Sequence, residues 1–258
     1  MPPTKSSHKL EWIDVKKTLG GRQVLQGVNL DVDAGRSLVV IGGSGVGKSV
    51  TIKCALGIIK PDLGSIQVDG QDVAKLSGDA RRAARAQFGM LFQGGALFDS
   101  LTIWENVAFR LLYSEHVGRK DAKARAIDTM RQVRLAPEFA ERYPVELSGG
   151  MQKRASLARA IITKPEIIFF DEPTTGLDPI TADAINDLIV EMVKQIGCAA
   201  VSITHDMASA RKIADEIAML YDGKIIWRGP ASGIDQSGDA RVDQFINGRA
   251  DGPIQAIV

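Results

Sequence analysis

The stretch Leu38-Val39-Val40-Ile41-Gly42-Gly43-Ser44-Gly45-Val46-Gly47-Lys48-Ser49 decides the fold. Its second part fits the spacing G-x-x-x-x-G-K-[ST], and its first part is the apolar strand that such a loop must follow. Glycines let the chain turn with successive backbone N–H groups converging on one concave spot, and a helix starting at Lys48 adds the positive end of its dipole. A polyphosphate suits that arrangement. Gly42, Gly43, Ser44, Gly45, Val46, Gly47, Lys48, Ser49 and the following Val50 are therefore the candidate nucleotide-binding residues. Lys48 would reach the β- and γ-phosphates. The Ser49 hydroxyl would take one position on Mg²⁺, a cation that binds few protein groups and keeps several waters.

Around this loop the composition is that of a soluble globular chain: 258 residues, 45% hydrophobic and 24% charged. The 32 basic residues nearly cancel the 31 acidic ones, for a formal net charge of +1. Global charge therefore gives no case for nucleic acid or a membrane surface as a partner. No apolar stretch approaches the ~18 residues that span a bilayer, and Met1 to Lys9 is polar. A cytosolic chain is expected. Cys54 and Cys198 have no Cys or His at ligand spacing, so two buried thiols are expected rather than a disulfide or a metal site. His8 and His116 read as surface histidines.

Strand-like runs at Leu10–Val15, Val28–Val32 and Ser37–Ile41 alternate with turn residues before the loop. After it, Lys48–Leu56 reads as a helix, Ser65–Val68 as a strand ending in Asp69-Gly70, and Phe88–Leu91 as a return to the core sheet. From about Ser100 to Leu147 the pattern becomes helical, with Ala126, Ile127, Met130 and Val133 at helical spacing. Gln152–Thr163 reads as a further helix stopped by Pro165. The wholly apolar Ile167–Phe170 is of the kind buried in parallel sheets. A helix faced by Ile185, Leu188, Ile189, Met192, Val193 and Ile196 follows, then a strand over Ala199–Ile203. Glu216–Tyr221 and Lys224–Gly229 flank Asp222-Gly223, a hairpin signal. From Pro230 the composition suggests a tail. These elements predict an α/β fold with a phosphate loop, a mixed sheet core with an antiparallel part, and an inserted helical subdomain at about 100–147, extending to 163. Residues 1–229 form the expected nucleotide-binding domain and 230–258 the tail.

The strand Ile167-Ile168-Phe169-Phe170 ends in Asp171-Glu172, at the edge where an open α/β sheet places its ligand crevice. Asp171 would hold the Mg²⁺ through water, and Glu172 would polarise the water that attacks the γ-phosphate. Leu147-Ser148-Gly149-Gly150-Met151 precedes a helix, so Ser148 and the Gly149 and Gly150 amides form a second anion-binding helix start. Gln93 follows one strand, Gly176-Leu177-Asp178-Pro179 follows the acidic pair, and Ser202-Ile203-Thr204-His205-Asp206 follows the next strand.

This ordered set resembles the ATP-binding cassette (ABC) family over roughly Leu10 to Gly229. By that resemblance Gly42 to Ser49 is Walker A and Ile167 to Glu172 Walker B. Leu147 to Met151 is the signature, Asp178 the D-loop, and His205 the switch histidine, counted with Glu172 as catalytic. Gln93 is the Q-loop, counted with the catalytic and with the metal-binding residues. The resemblance also implies ATP as cofactor, and a homodimer in which the signature of one subunit closes over the nucleotide on the Walker A of the other. It departs at one place. Where these ATPases often stack an aromatic on adenine, this chain has Leu19, which removes about 1 kcal/mol of stacking and puts selectivity for adenine over guanine in question.

A narrower resemblance lies in Phe92-Gln93-Gly94-Gly95-Ala96-Leu97-Phe98-Asp99-Ser100-Leu101-Thr102-Ile103-Trp104-Glu105-Asn106-Val107-Ala108-Phe109 and in Gln244 to Ile254. Both look like the ATPase subunits of Mla-type lipid transporters. That implies an integral membrane permease, an MCE-type lipid-binding protein and a small STAS-type protein as partners. It also implies a peripheral location on the cytoplasmic face of the inner membrane, in a system that moves phospholipid to keep outer-membrane lipid asymmetry. Ala96, Leu97, Phe98 and Trp104 read either as helical-subdomain core or as a surface packing on a permease helix, and docking is expected of at least some of them. The rival reading is a soluble ABC ATPase acting on ribosomes or nucleic acid. Such proteins commonly carry two cassettes or a long coiled-coil insert, and neither is seen here. A P-loop GTPase is weaker still, without an N-K-x-D motif. In the tail, Phe245, Ile246, Ile254, Ile257 and Val258 read either as a frayed end or as a segment docking across the dimer.

Overall fold

Runs of β-branched and aliphatic residues, too short for helices, form the strands. In the computed structural model, which describes residues 8–255, these are β1 (Leu10–Leu19), β2 (Arg22–Val32), β3 (Ser37–Ile41), β4 (Leu63–Val68), β5 (Gln71–Asp72), β6 (Phe88–Leu91), β7 (Ile167–Asp171), β8 (Ala199–Thr204), β9 (Glu216–Tyr221) and β10 (Lys224–Pro230). The helices are α1 (Lys48–Ala55), α2 (Gly78–Ala86), α3 (Ile103–Val107), α4 (Phe109–Tyr113), α5 (Arg119–Gln132), α6 (Gly149–Ile161), α7 (Pro179–Ile196), α8 (Met207–Ile213) and α9 (Ala240–Ile246).

One sheet is antiparallel, in the order β2-β1-β4-β5; the other runs β10-β9-β3-β8-β7-β6, parallel except where β10 pairs with β9. Alternation along each parallel strand splits its side chains between two cores. Val39, Ile41, Ile168, Phe170, Ala200 and Met219 face the helices. Leu38, Val40, Ile167, Phe169, Val201 and Leu220 face the antiparallel sheet. Because both faces are covered, these strands read as unbroken apolar runs. Trp12 Nε1 donates to the Thr51 carbonyl at 3.1 Å and ties α1 to the small sheet.

The helical insert forms from α3 to α5, with Ile103, Val107, Leu111, Ala122, Ala126, Met130 and Val133 buried on the first core; Ile127 is only partly covered. Asn106, fully buried, fixes the preceding loop: its Oδ1 accepts from Phe98 N at 2.7 Å, and its Nδ2 donates to the carbonyls of Phe98 and Leu101 at 3.0 Å. The docking expectation divides here. Trp104 is 5% exposed and belongs to the core, with Arg119 over its ring at 4.9 Å. Phe98 stays exposed and stacks on Phe109 at 4.6 Å.

The segment read as a tail is partly built into the same core. Ile234 and Val242 are fully buried in the helix-side core, and Phe245, Ile246 and Ile254 pack against that core. Gln244 organises the end, donating to the carbonyls of Arg249 at 3.1 Å and Ile254 at 2.9 Å and accepting from Ile254 N at 2.7 Å. Glycine and aspartate punctuation hid this anchoring. Ile257 and Val258 lie outside the described residues. Cys54 and Cys198 are buried free thiols, each pushed up to about 11 by burial.

Candidate functional site

At the centre of the large sheet β3 runs between β9 and β8, and the phosphate loop leaves its C-terminal end. Two glycines there are obligatory. A Cβ on Gly42 (φ +150°) would lie 2.3 Å from the Leu220 carbonyl oxygen, and one on Gly47 (φ +112°) would lie 2.9 Å from that of Val24. Lys48 is buried, and its Nζ donates to the carbonyls of Gly42 at 2.7 Å and Gly43 at 2.8 Å. Burial pulls its pKa below the usual lysine value, while Glu172 and Asp171 oppose that pull. The ammonium thus braces the loop in the free chain, beside the place where phosphates would sit.

A cleft of about 590 Å³ opens over the loop, lined by Leu19, Val24, Ser44, Gly45, Gly47, Lys48, Ser49, Val50, Gln93, Glu172 and His205. That volume lies within the range of small-molecule sites, roughly 300–1,000 Å³. Leu19 stands on its wall where the sequence placed the base contact. Gly42, Gly43 and Val46 shape the loop without lining the cleft.

The acidic pair ends β7. Glu172 is 7% exposed and sits at φ +49°, uncommon for a residue with a Cβ. Its carboxylate lies 3.0 Å from His205 Nδ1 and accepts from Thr175 Oγ1 at 3.0 Å and from Thr204 Oγ1 at 3.4 Å. Asp171 is buried, and its Oδ1 has no hydrogen-bond partner. Burial first, then the Glu172 charge, raises its pKa, against the cations of Lys53, Lys48 and Lys153. A buried carboxylate oxygen without a donor fits a cation. Among the described residues no group of three His, Cys, Asp or Glu could hold a metal ion.

Ser148 and Asp178 are placed differently. Ser148 caps α6, its Oγ accepting from Met151 N at 3.4 Å, and it is exposed with Gly149 beside it. Asp178 caps α7, accepting from Ile180 N at 3.1 Å and Thr181 N at 3.0 Å. The two caps adjoin: a Cβ on Gly150 would lie 2.7 Å from Thr181 Cγ2. None of Ser148, Gly149, Gly150 and Asp178 lines the cleft over the phosphate loop of its own chain.

Residues that sequence reading passed over hold this site together. Ser156 Oγ donates to the Gly95 carbonyl at 3.0 Å, and Arg159 donates to the carbonyls of Gly95 at 2.7 Å and Ala96 at 2.8 Å, so α6 grips the loop after Gln93. Lys153, on the same helix, is buried and reaches Glu172. An arginine or lysine on a helix reads as a solvent face unless its partner is known.

A phosphate loop on a parallel sheet, with two carboxylates and a histidine gathered at the strand ends, defines a P-loop nucleotide-binding protein. Residues 25–175 match the family described as ABC transporter. The chain is 39% identical to the probable ribonucleotide transport ATP-binding protein mkl of Mycobacterium leprae, over 94% of this chain and 70% of that one. It is 37% identical to the intermembrane phospholipid transport system ATP-binding protein MlaF of Escherichia coli K12, over 93% of this chain and 89% of that one. It superposes on a dimeric ATP-binding cassette in a post-hydrolysis state bound to ADP and Pi, with TM-score 0.78 and 30% identity, over 86% of this chain and 98% of the other. The chain belongs to the ABC transporter family and is the ATP-binding, ATP-hydrolysing subunit of a transporter. Among the described residues no helix is long and apolar enough to cross a membrane.

Proposed function

We propose that this ATPase works as a homodimer on the cytoplasmic face of the inner membrane, driving an integral permease that moves phospholipid and maintains outer-membrane lipid asymmetry. The observation that carries the chemistry is the meeting of Glu172 and His205, 3.0 Å apart, at the mouth of the phosphate loop. Lys48 offsets charge on the β- and γ-phosphates, and Glu172, oriented by His205, takes the proton of the attacking water. Ser49, Asp171 and Gln93 would hold Mg²⁺, which supplies charge neutralisation on the phosphate oxygens when bound. Ser148, Gly149, Gly150 and Asp178 serve the nucleotide of the partner copy, a reading supported by their position away from their own cleft and by the exposure of Ser148, Gly149 and Asp178.

Phospholipid is favoured over ribonucleotide on two grounds. The match to MlaF covers 89% of that protein, whereas 30% of the mkl relative lies outside its match. The Phe92 to Phe109 stretch also carries the Mla-type pattern. An MCE-type lipid-binding protein and a small STAS-type protein are the remaining partners of this reading. The test is the assembled transporter in proteoliposomes, assayed for ATP-dependent transfer of a fluorescent phospholipid and uptake of a labelled ribonucleotide. Lipid transfer is expected. Ribonucleotide uptake without lipid transfer would overturn the cargo and leave the ATPase in place.

A further inference from the structure

Glu172 occupies a backbone conformation that a residue with a Cβ keeps only when its surroundings hold it. The peptide groups on both sides of its Cα are held by hydrogen bonds, the carbonyl also accepting from Thr175 N at 3.4 Å. Its N–H donates to the Ile203 carbonyl on β8 at 3.0 Å. Its carbonyl oxygen accepts from Lys153 Nζ at 3.3 Å, across from α6. Lys153 is 5% exposed, and the carboxylates of Asp171 and Glu172 are the charges that face it. Burying an ammonium is costly unless a specific partner rewards it, and this one donates to the Glu172 carbonyl and faces the acidic pair.

We propose that Lys153 is a positioning residue for ATP hydrolysis: from the helix that Ser148 caps, it clamps the carbonyl of Glu172 and so fixes the direction of the Glu172 side chain. This rests on Glu172 acting as the base. Freed of the clamp, Glu172 relaxes its backbone, and the carboxylate swings away from the water it must polarise. The same helix holds the carbonyls of Gly95 and Ala96 through Ser156 and Arg159. One rigid helix therefore spans the Ser148 cap, the base and the loop after Gln93. A displacement of α6, whether from the partner's nucleotide or from a permease pressing near Gly95, reaches Glu172 through Lys153.

The test is a double-mutant cycle in the assembled transporter. Lys153→Met should lower kcat for ATP by roughly 10- to 10²-fold, the range for a misplaced reacting group, with KM and nucleotide affinity within twofold of the parent chain. Lys153→Arg, which keeps a donor and the charge, should recover most of the rate. In a Glu172→Gln background, Lys153→Met should slow residual hydrolysis no further, since the group it positions is already gone. If Lys153→Met fails to fold by circular dichroism, Lys153→Gln, which keeps an amide donor and removes the charge, carries the same cycle with a loss of kcat between those of Lys153→Arg and Lys153→Met. A parental rate in Lys153→Met, or a loss that multiplies with that of Glu172→Gln, overturns the positioning role. A parental rate in Glu172→Gln alone would instead refute the assignment of the base.

Discussion

The two ends of the candidate site are in opposite conditions. At the phosphate loop, Lys48, Asp171 and Glu172 are buried together, one carboxylate oxygen has no partner, and Glu172 is held in an uncommon backbone conformation. At the caps of α6 and α7, Ser148 and Asp178 are exposed, and their side chains already accept backbone N–H groups of their own helices. The first region holds unmet electrostatic demand that nucleotide and cation would satisfy. The second is quiet in a single chain, and its proposed task is to meet the γ-phosphate carried by another copy. Under the proposed function, binding is prepared within one copy and hydrolysis waits for two.

The largest effect expected belongs to the tense end. Glu172→Gln should leave ATP binding intact and slow hydrolysis by roughly 10²-fold or more, the range for losing a general base, as read by phosphate release in the assembled complex. Near-parental turnover would remove the distinction between the two ends. At the quiet end, Ser148→Arg should leave ATP affinity of the single chain within twofold, measured by fluorescent nucleotide titration, yet reduce turnover of the assembled complex at least tenfold. A matching loss of affinity in the single chain would place Ser148 in its own cleft.

What could be read before folding follows the same division. β3, β7 and β8 were legible because strands buried on both faces are nearly continuous apolar runs, and the loop and the acidic pair attach to the ends of β3 and β7. α2 and α8 were not, since Gly78–Ala86 and Met207–Ile213 are short and bury few side chains. α6 begins at Gly149, three residues before the expected start, because the Ser148 cap outweighs the poor helix propensity of two glycines. Trp104 could not be assigned between core and docking surface, since an aromatic beside exposed Phe98 has the same one-dimensional signature on either face. Lys153 went unseen because its partner is a backbone carbonyl 19 residues away.

Smaller effects sharpen the comparison. Leu19→Tyr should tighten ATP binding by roughly fivefold, about 1 kcal/mol of restored stacking on the cleft wall, and should widen the preference for ATP over GTP in competition titrations. No change would put the base elsewhere. Asp171 gives the smallest shift, and its sign is opposite to that of an ordinary structural residue. Its pKa is higher in the fold than in the unfolded chain, so stability falls as pH rises from the unfolded value through the folded one. Asp171→Asn should therefore raise the thermal midpoint of the nucleotide-free chain, by about 2–4 °C for each kcal/mol relieved. A lower midpoint would show that the buried carboxylate stabilises the empty site.

The most direct measurement is the molar mass of the Glu172→Gln chain by light scattering, with and without ATP and Mg²⁺, alongside the same chain carrying Ser148→Arg. If hydrolysis needs two copies, ATP should double the mass of the first and leave the second monomeric with its nucleotide bound. A Glu172→Gln, Ser148→Arg chain that doubles its mass as readily as Glu172→Gln alone would contradict the shared site.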